Sequence, residues 1–173
     1  MNKKIMYIIT ILSTAVLLFL DQIAKYLAVL HLKGQAAIPI IKNVFELQYL
    51  ENQGAAFGIM QGKKTFFVIG TLIFLVIVGI LYHNIPLTKR FTPIRIVAVL
   101  IIAGAIGNMI DRVVHQYVID FFYFKLINFP IFNVADIYVV VACILFILLM
   151  LFYYKEEELG QIFPFMKSKK AEE

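Results

Sequence analysis

The sequence predicts an all-α integral membrane protein, with four transmembrane helices and a small β-structured extracytoplasmic loop region. Three observations predict it. Hydrophobic residues make up 62% of the 173, and mean hydropathy is +0.88, far above the ~45–50% apolar share of soluble domains. These residues come in four blocks, each near the ~17–25 residues that cross a bilayer. Between the first two blocks, VFELQYLEN roughly alternates apolar and polar side chains, which is the period of a strand. The whole chain, 1–173, reads as a single membrane domain.

The first span, 5–27, follows MNKK, a basic start like that of a signal peptide. No A-x-A-like cleavage site follows, and apolar character continues past Asp21 through IAKYLAVL, so the segment reads as a retained helix. An outer β-region is expected over 33–64. Within it NQGAAFG has turn chemistry, with Gly54 and Gly58 free to take positive φ. The second, third and fourth spans are 65–82, 94–112 and 135–154. The segment 113–134 reads as an outer loop, and KEEELGQIFPFMKSKKAEE as a charged, loosely ordered tail.

Net charge is +5, but the basic residues flank apolar blocks, so topology and anionic headgroups explain them better than nucleic acid does. Lys3, Lys4, Lys89, Arg90, Arg95, Lys155, Lys167, Lys169 and Lys170 fall on one side. The positive-inside rule then places both termini in the cytoplasm. The three histidines are scattered with no H-E-x-x-H, the single cysteine excludes a cysteine metal cluster, and neither G-x-S-x-G nor a Walker A loop occurs. Neither a metal nor a cofactor is expected.

A charge at mid-bilayer costs at least ~2.5–3.5 kcal/mol, so polar residues in such a chain mark candidate sites. Asp21, Lys25, Asn52, Asn108, Asp111, Arg112, Asp120, Asn133 and Asp136 all fall at the predicted extracytoplasmic ends. Asp21 and Lys25 are four apart and can pair. That spacing suits an ion pair that neutralises both charges as well as it suits a direct part in a site. In AGAIGNMIDRV, Gly104, Asn108, Asp111 and Arg112 share a helix face. Close helix packing accounts for Ala103, Gly104, Ala105 and Gly107, but not for Asn, Asp and Arg together.

Asp120 sits among Val118, Ile119, Phe121 and Phe122, and burial with them would raise its pKa. Asn133 follows Pro130 as a helix N-cap, which puts Asp136 at N3. Capping plus the dipole, worth ~1–2 kcal/mol, accounts for Asn133 and Asp136 as well as chemistry would. Asp120 and Asp136 together go further. Two carboxylates at one membrane face in apolar settings do not both ionise readily, so one can act as general acid and the other as general base. Such a pair can activate water to attack an amide carbonyl.

DQIAKYL, NQGAAFG, GAIGNMIDR, VIDFF and FNVAD, in that order on a four-span chain, resemble the bacterial lipoprotein signal peptidases (signal peptidase II) over nearly the whole sequence. The resemblance implies a metal-free aspartic peptidase of the bacterial cytoplasmic membrane, acting near its extracytoplasmic face. Its substrate would be a prolipoprotein carrying a diacylglyceryl-modified cysteine, cleaved just before that cysteine. It implies Asp120 and Asp136 as the catalytic pair. Asn52, Gly104, Asn108, Arg112 and Asn133 would be substrate-binding, and Asp21 and Lys25 supporting; Asp111, on the same helix segment as Asn108 and Arg112, is expected to support the site with them. It also implies globomycin as an inhibitor; membrane lipids are the expected surroundings, and the chain is expected to be a monomer. Two departures from the pattern are visible: Ala24, where Ser or Thr is frequent, and Ile137–Tyr138, where small residues are common. A proton-coupled transporter and a membrane scaffold are the competing classes. The apolar inner halves of the blocks argue against the first, and a silent Asp136→Asn would mark the second.

Overall fold

Local chemistry marks several of the helix ends. The structure is a computed structural model that describes residues 2–54 and 63–163. Helix α1 (Lys3–Leu32) starts where the Asn2 side chain accepts the Lys4 N–H at 3.0 Å, so one orphan donor of the first turn is satisfied. It stops just before Gly34, whose φ of +74° is a left-handed conformation that glycine adopts without a side-chain clash. Helix α2 spans Lys64–Asn84 and α3 spans Thr92–His115, with Pro93 in its first turn. Helix α3 ends at Gln116, a non-glycine residue at φ 73° whose N–H returns to the Arg112 carbonyl. Helix α4 (Val134–Leu148) continues as a π-turn over Leu149–Tyr153. Among the described residues, four helical segments, Lys3–Leu32, Lys64–Asn84, Lys89–His115 and Val134–Tyr153, are long and apolar enough to cross a membrane. Each is longer than, or shifted slightly from, the predicted block; side-chain caps from Asn2 and Asn133 set the starts of the first and fourth.

Strands β1 (Ile38–Ile41), β2 (Phe45–Asn52) and β3 (Val118–Tyr123) form an antiparallel sheet in the order β1-β2-β3. The alternating Phe45–Asn52 stretch is thus a strand. The segment 113–134, read as a loop, instead supplies the sheet's third strand. Alternation along β3 then sorts its side chains. Ile119 and Phe121 pack with Ala28 and Leu32 of α1, while Val118 and Asp120 line a cavity on the opposite side. Gly58 of the turn segment lies outside the described residues.

A second apolar cluster forms at the end of the bundle away from the sheet. It joins Met6, Tyr82, Phe91, Ile94 and Val97 to Leu159, Ile162 and Phe163. Leu159 and Ile162 come from α5 (Glu156–Ile162), and Phe163 follows it directly; this short helix lies in the segment predicted to be loosely ordered. Three glutamates in its first turn complement the helix dipole, and Glu158 accepts two hydrogen bonds from Arg90. Its apolar side is covered by the bundle, so this part of the tail folds. Elsewhere, large apolar side chains such as Ile11, Leu12, Phe66, Val76 and Phe152 face outward, as a lipid-facing surface requires.

Candidate active site

Nine of the ten polar or glycine positions singled out in the sequence form one connected network at the sheet end of the bundle. Asp120 is 1% exposed. Its Oδ2 accepts from Asn52 Nδ2 at 2.9 Å and its Oδ1 from Asn133 Nδ2 at 2.6 Å. The first bond follows from register: Leu50 pairs with Asp120 and Asn52 with Val118, so Asn52 and Asp120 are diagonal neighbours on one sheet face. Asn52 is oriented in turn by the Gly54 N–H, which donates to its Oδ1 at 3.0 Å.

Asp136 is fixed by a capping box. The Asp136 N–H donates to Asn133 Oδ1, and the Asn133 N–H donates back to Asp136 Oδ2, both at 3.1 Å. The other oxygen, Oδ1, accepts from Asn108 Nδ2 at 2.7 Å. Asn133 therefore donates to both carboxylates, one through its side chain and one through its backbone. Burial, then the neighbouring Asp136 charge, push the Asp120 carboxyl up to about 7, against the opposing pull of its two asparagine donors and of Lys25. Near neutral pH the pair can thus hold a single proton, an arrangement suited to moving a proton onto and off a bound group.

Behind the carboxylates lies a charged cluster. Lys25 Nζ bonds Asp21 Oδ2 and Asp111 Oδ2, each at 2.9 Å, and Asn108 Oδ1 at 3.0 Å. Asp21 Oδ1 also accepts the Ala135 N–H at 2.9 Å, and Asp111 Oδ2 accepts the Ile119 N–H at 3.1 Å. These bonds tie α1 to the first turn of α4 and α3 to β3, the two elements that carry the carboxylates. Asp111 turns toward Lys25, whereas Gly104, Asn108 and Arg112 line the cavity, so the predicted shared face is split between two partners. Gln22, missed in the sequence reading, donates to Asp21 Oδ2 and Asp111 Oδ1 at 3.1 Å each. A polar side chain beside Asp21 in an otherwise apolar run was the signal that could have found it.

The cavity is about 630 Å³, within the range of ligand sites. Its polar end holds Asp120, Asp136, Asn52, Asn108 and Arg112, and its walls are apolar, including Ala105 of α3 and Val140 and Val141 of α4. Thr71 of α2 also lines it, a residue the sequence does not single out. Arg112 donates to the Gly54 carbonyl at 3.1 Å and lies 4.8 Å over the Phe67 ring. Gly104 is the residue outside the hydrogen-bonded network. A Cβ there would come within 2.6 Å of the Ala135 carbonyl oxygen and of Val139 Cγ2, so its absence lets α3 and α4 close. The departures also have places: Ala24 packs beside the α1–β3 cluster, Ile137 lines the cavity, and the Tyr138 hydroxyl donates to the Leu17 carbonyl.

The family model of signal peptidase (SPase) II matches residues 13–152, which include every one of these positions. The chain belongs to the signal peptidase II family. Lipoprotein signal peptidase of Clostridium novyi is 44% identical over 133 residues, covering 74% of this chain and 87% of that protein. Lipoprotein signal peptidase of Streptococcus pyogenes is 39% identical over 150 residues, covering 87% and 95%. A solved bacterial membrane enzyme superposes with a TM-score of 0.73 at 34% identity, covering 82% of this chain and 87% of that one. A second gives 0.71 at 33%. Signal peptidase II membership and four apolar helices make this a bacterial membrane peptidase.

Proposed function

We propose that this protein is a membrane aspartic endopeptidase that removes the signal peptide from diacylglyceryl-modified prolipoproteins, cutting just before the lipid-modified cysteine. The observation that carries this reading is the joint hold of Asn133 on the Asp120 and Asp136 carboxylates at the polar end of an apolar cavity. In the proposed reaction Asp120 holds the shared proton and Asp136 is the base. Asp136 takes a proton from water, the hydroxide attacks the scissile carbonyl, and Asp120 gives its proton to the carbonyl oxygen, forming a neutral gem-diol. Return of a proton to the leaving amine completes cleavage.

Arg112 and Asn108 face the cavity and can bind substrate backbone groups, which lack partners in hydrocarbon. Asn52 holds Asp120, and its remaining amide hydrogen can serve the same end. Asn133 is fully buried with its side-chain oxygen and nitrogen both engaged, so it positions the carboxylates instead of contacting substrate. Gly104 serves by helix approach as well as by lining the cavity. Asp21, Lys25 and Asp111 support the site from behind. The basic flanks favour cytoplasmic termini, which puts the sheet and both carboxylates at the extracytoplasmic face. A monomer that globomycin inhibits completes the reading.

The deciding experiment is cleavage of a lipid-modified prolipoprotein by purified wild type, Asp120→Asn and Asp136→Asn. Each variant is expected to stay folded and to lose activity by roughly 10²- to 10⁴-fold, the usual worth of a positioned acid or base. Near-normal cleavage by either would remove that aspartate from the mechanism. EDTA is expected to leave wild-type cleavage unchanged, and inhibition reversed by added metal would overturn the metal-independent reading.

A further inference from the structure

We infer that Lys25 is a positioning residue for the reaction: its ammonium, bonded to Asn108 Oδ1, fixes the direction in which the Asn108 carboxamide faces Asp136. The inference rests on the aspartic-pair reading above. An asparagine side chain offers an oxygen that accepts and a nitrogen that donates, and rotating it exchanges the two. Asn108 can serve Asp136 as a donor only while its oxygen points away from that carboxylate.

Three asparagines surround the pair, and each is locked by a partner that can only donate. Asn52 Oδ1 takes the Gly54 N–H and Asn133 Oδ1 takes the Asp136 N–H. Asn108 Oδ1 takes the Lys25 ammonium at 3.0 Å, with Asn133 Nδ2 as a second donor at 3.0 Å. The first two locks are backbone groups. The third is a charged side chain, and its charge strengthens the bond and polarises the amide toward Asp136. Lys25 is 1% exposed and has three acceptors, Asp21, Asp111 and Asn108, matching the three hydrogens of its ammonium. Neutralising Asp21 and Asp111 requires only the two salt bridges. The third bond points at the chemistry.

The obvious variant, Lys25→Met, leaves two buried carboxylates without their cation and can fail to fold. The informative variant is Lys25→Met with Asp111→Asn. It removes one positive and one negative charge, so the net charge of the Asp21, Lys25 and Asp111 cluster stays at minus one while the bond to Asn108 is lost. On the lipid-modified substrate, kcat is expected to fall roughly 10- to 100-fold, as when outer-shell groups that orient metal ligands are removed. KM is expected to stay near wild type, while the melting temperature falls because Asp21 stays buried without its cation. Wild-type kcat in the folded double variant would show that Lys25 only balances charge, and would overturn the inference.

A second measurement needs no variant. Solid-state NMR of the wild-type protein in lipid is expected to show a short contact between the Lys25 Nζ protons and Asn108 Cγ, and its absence would overturn the inference even where the double variant fails to fold. The underlying reading is tested separately. Active Asp120→Asn or Asp136→Asn enzyme removes the aspartic pair, whereas inactive aspartate variants beside a fully active double variant remove only the role of Lys25.

Discussion

Asparagine in place of Asp136 keeps an oxygen to accept the Asn133 N–H, so the capping box and the start of α4 survive. The substitution thus separates the cap from the proposed chemistry at Asp136. Asp120 has no capping duty. Burial and the Asp136 charge push its pKa up to about 7, so in the proposed mechanism it is the carboxyl that holds the shared proton. The sign follows directly: below that pH the pair keeps its shared proton, and above it the proton is lost. Cleavage is therefore expected to decline on the alkaline side with an apparent pKa near 7, a property of the coupled pair. A rate that stays flat from about pH 6 to pH 9 would be incompatible with a carboxyl raised to this value. Both aspartates and their asparagines were legible as residues, because polar side chains stand out in hydrocarbon. Their bonding was not: nothing in FNVAD says that Asn133 reaches Asp120, a contact made across the strand of a sheet.

Helix spacing sets where Asp136 stands relative to its partners. Gly104 lies under the Ala135 carbonyl, one residue before Asp136. Gly104→Ala must push α4 away, an overpacking cost of about 1–3 kcal/mol, and it moves Asp136 off its partners. Activity is expected to fall by about 10²-fold, the scale of a 1 Å misplacement. Gly70→Ala in α2 is the control, since a Cβ there meets nothing within 4 Å; equal losses in the two variants would show that packing at Gly104 is not the cause. The small-residue run signalled close packing in sequence. Which helix came close, and that Gly104 serves α4 while Gly107 faces Asp21, depended on tertiary arrangement.

Across the whole molecule the two ends have different tasks. The sheet end carries the charged network, and the opposite end carries the apolar cluster that Leu159 and Ile162 of α5 and the adjoining Phe163 complete. Ending the chain after Tyr154 is expected to lower the melting temperature, since each lost side chain is worth roughly 1.5–3 kcal/mol of burial. The cleavage rate of the remaining folded protein is expected to stay near wild type, because no α5 residue lines the cavity. A thermal scan and a cleavage assay on the same preparation check both; an unchanged melting temperature would mean that α5 stabilises nothing. The sequence by itself determined the four spans and the polar positions, because hydrocarbon imposes a length and a composition that show in one dimension. It also marked β2 through alternation. Only the tertiary structure decided that 113–134 supplies a strand, that α5 docks, and that Lys25 reaches Asn108. Those outcomes rest on pairing between segments far apart in the chain, where register and helix approach, rather than local composition, choose the partner.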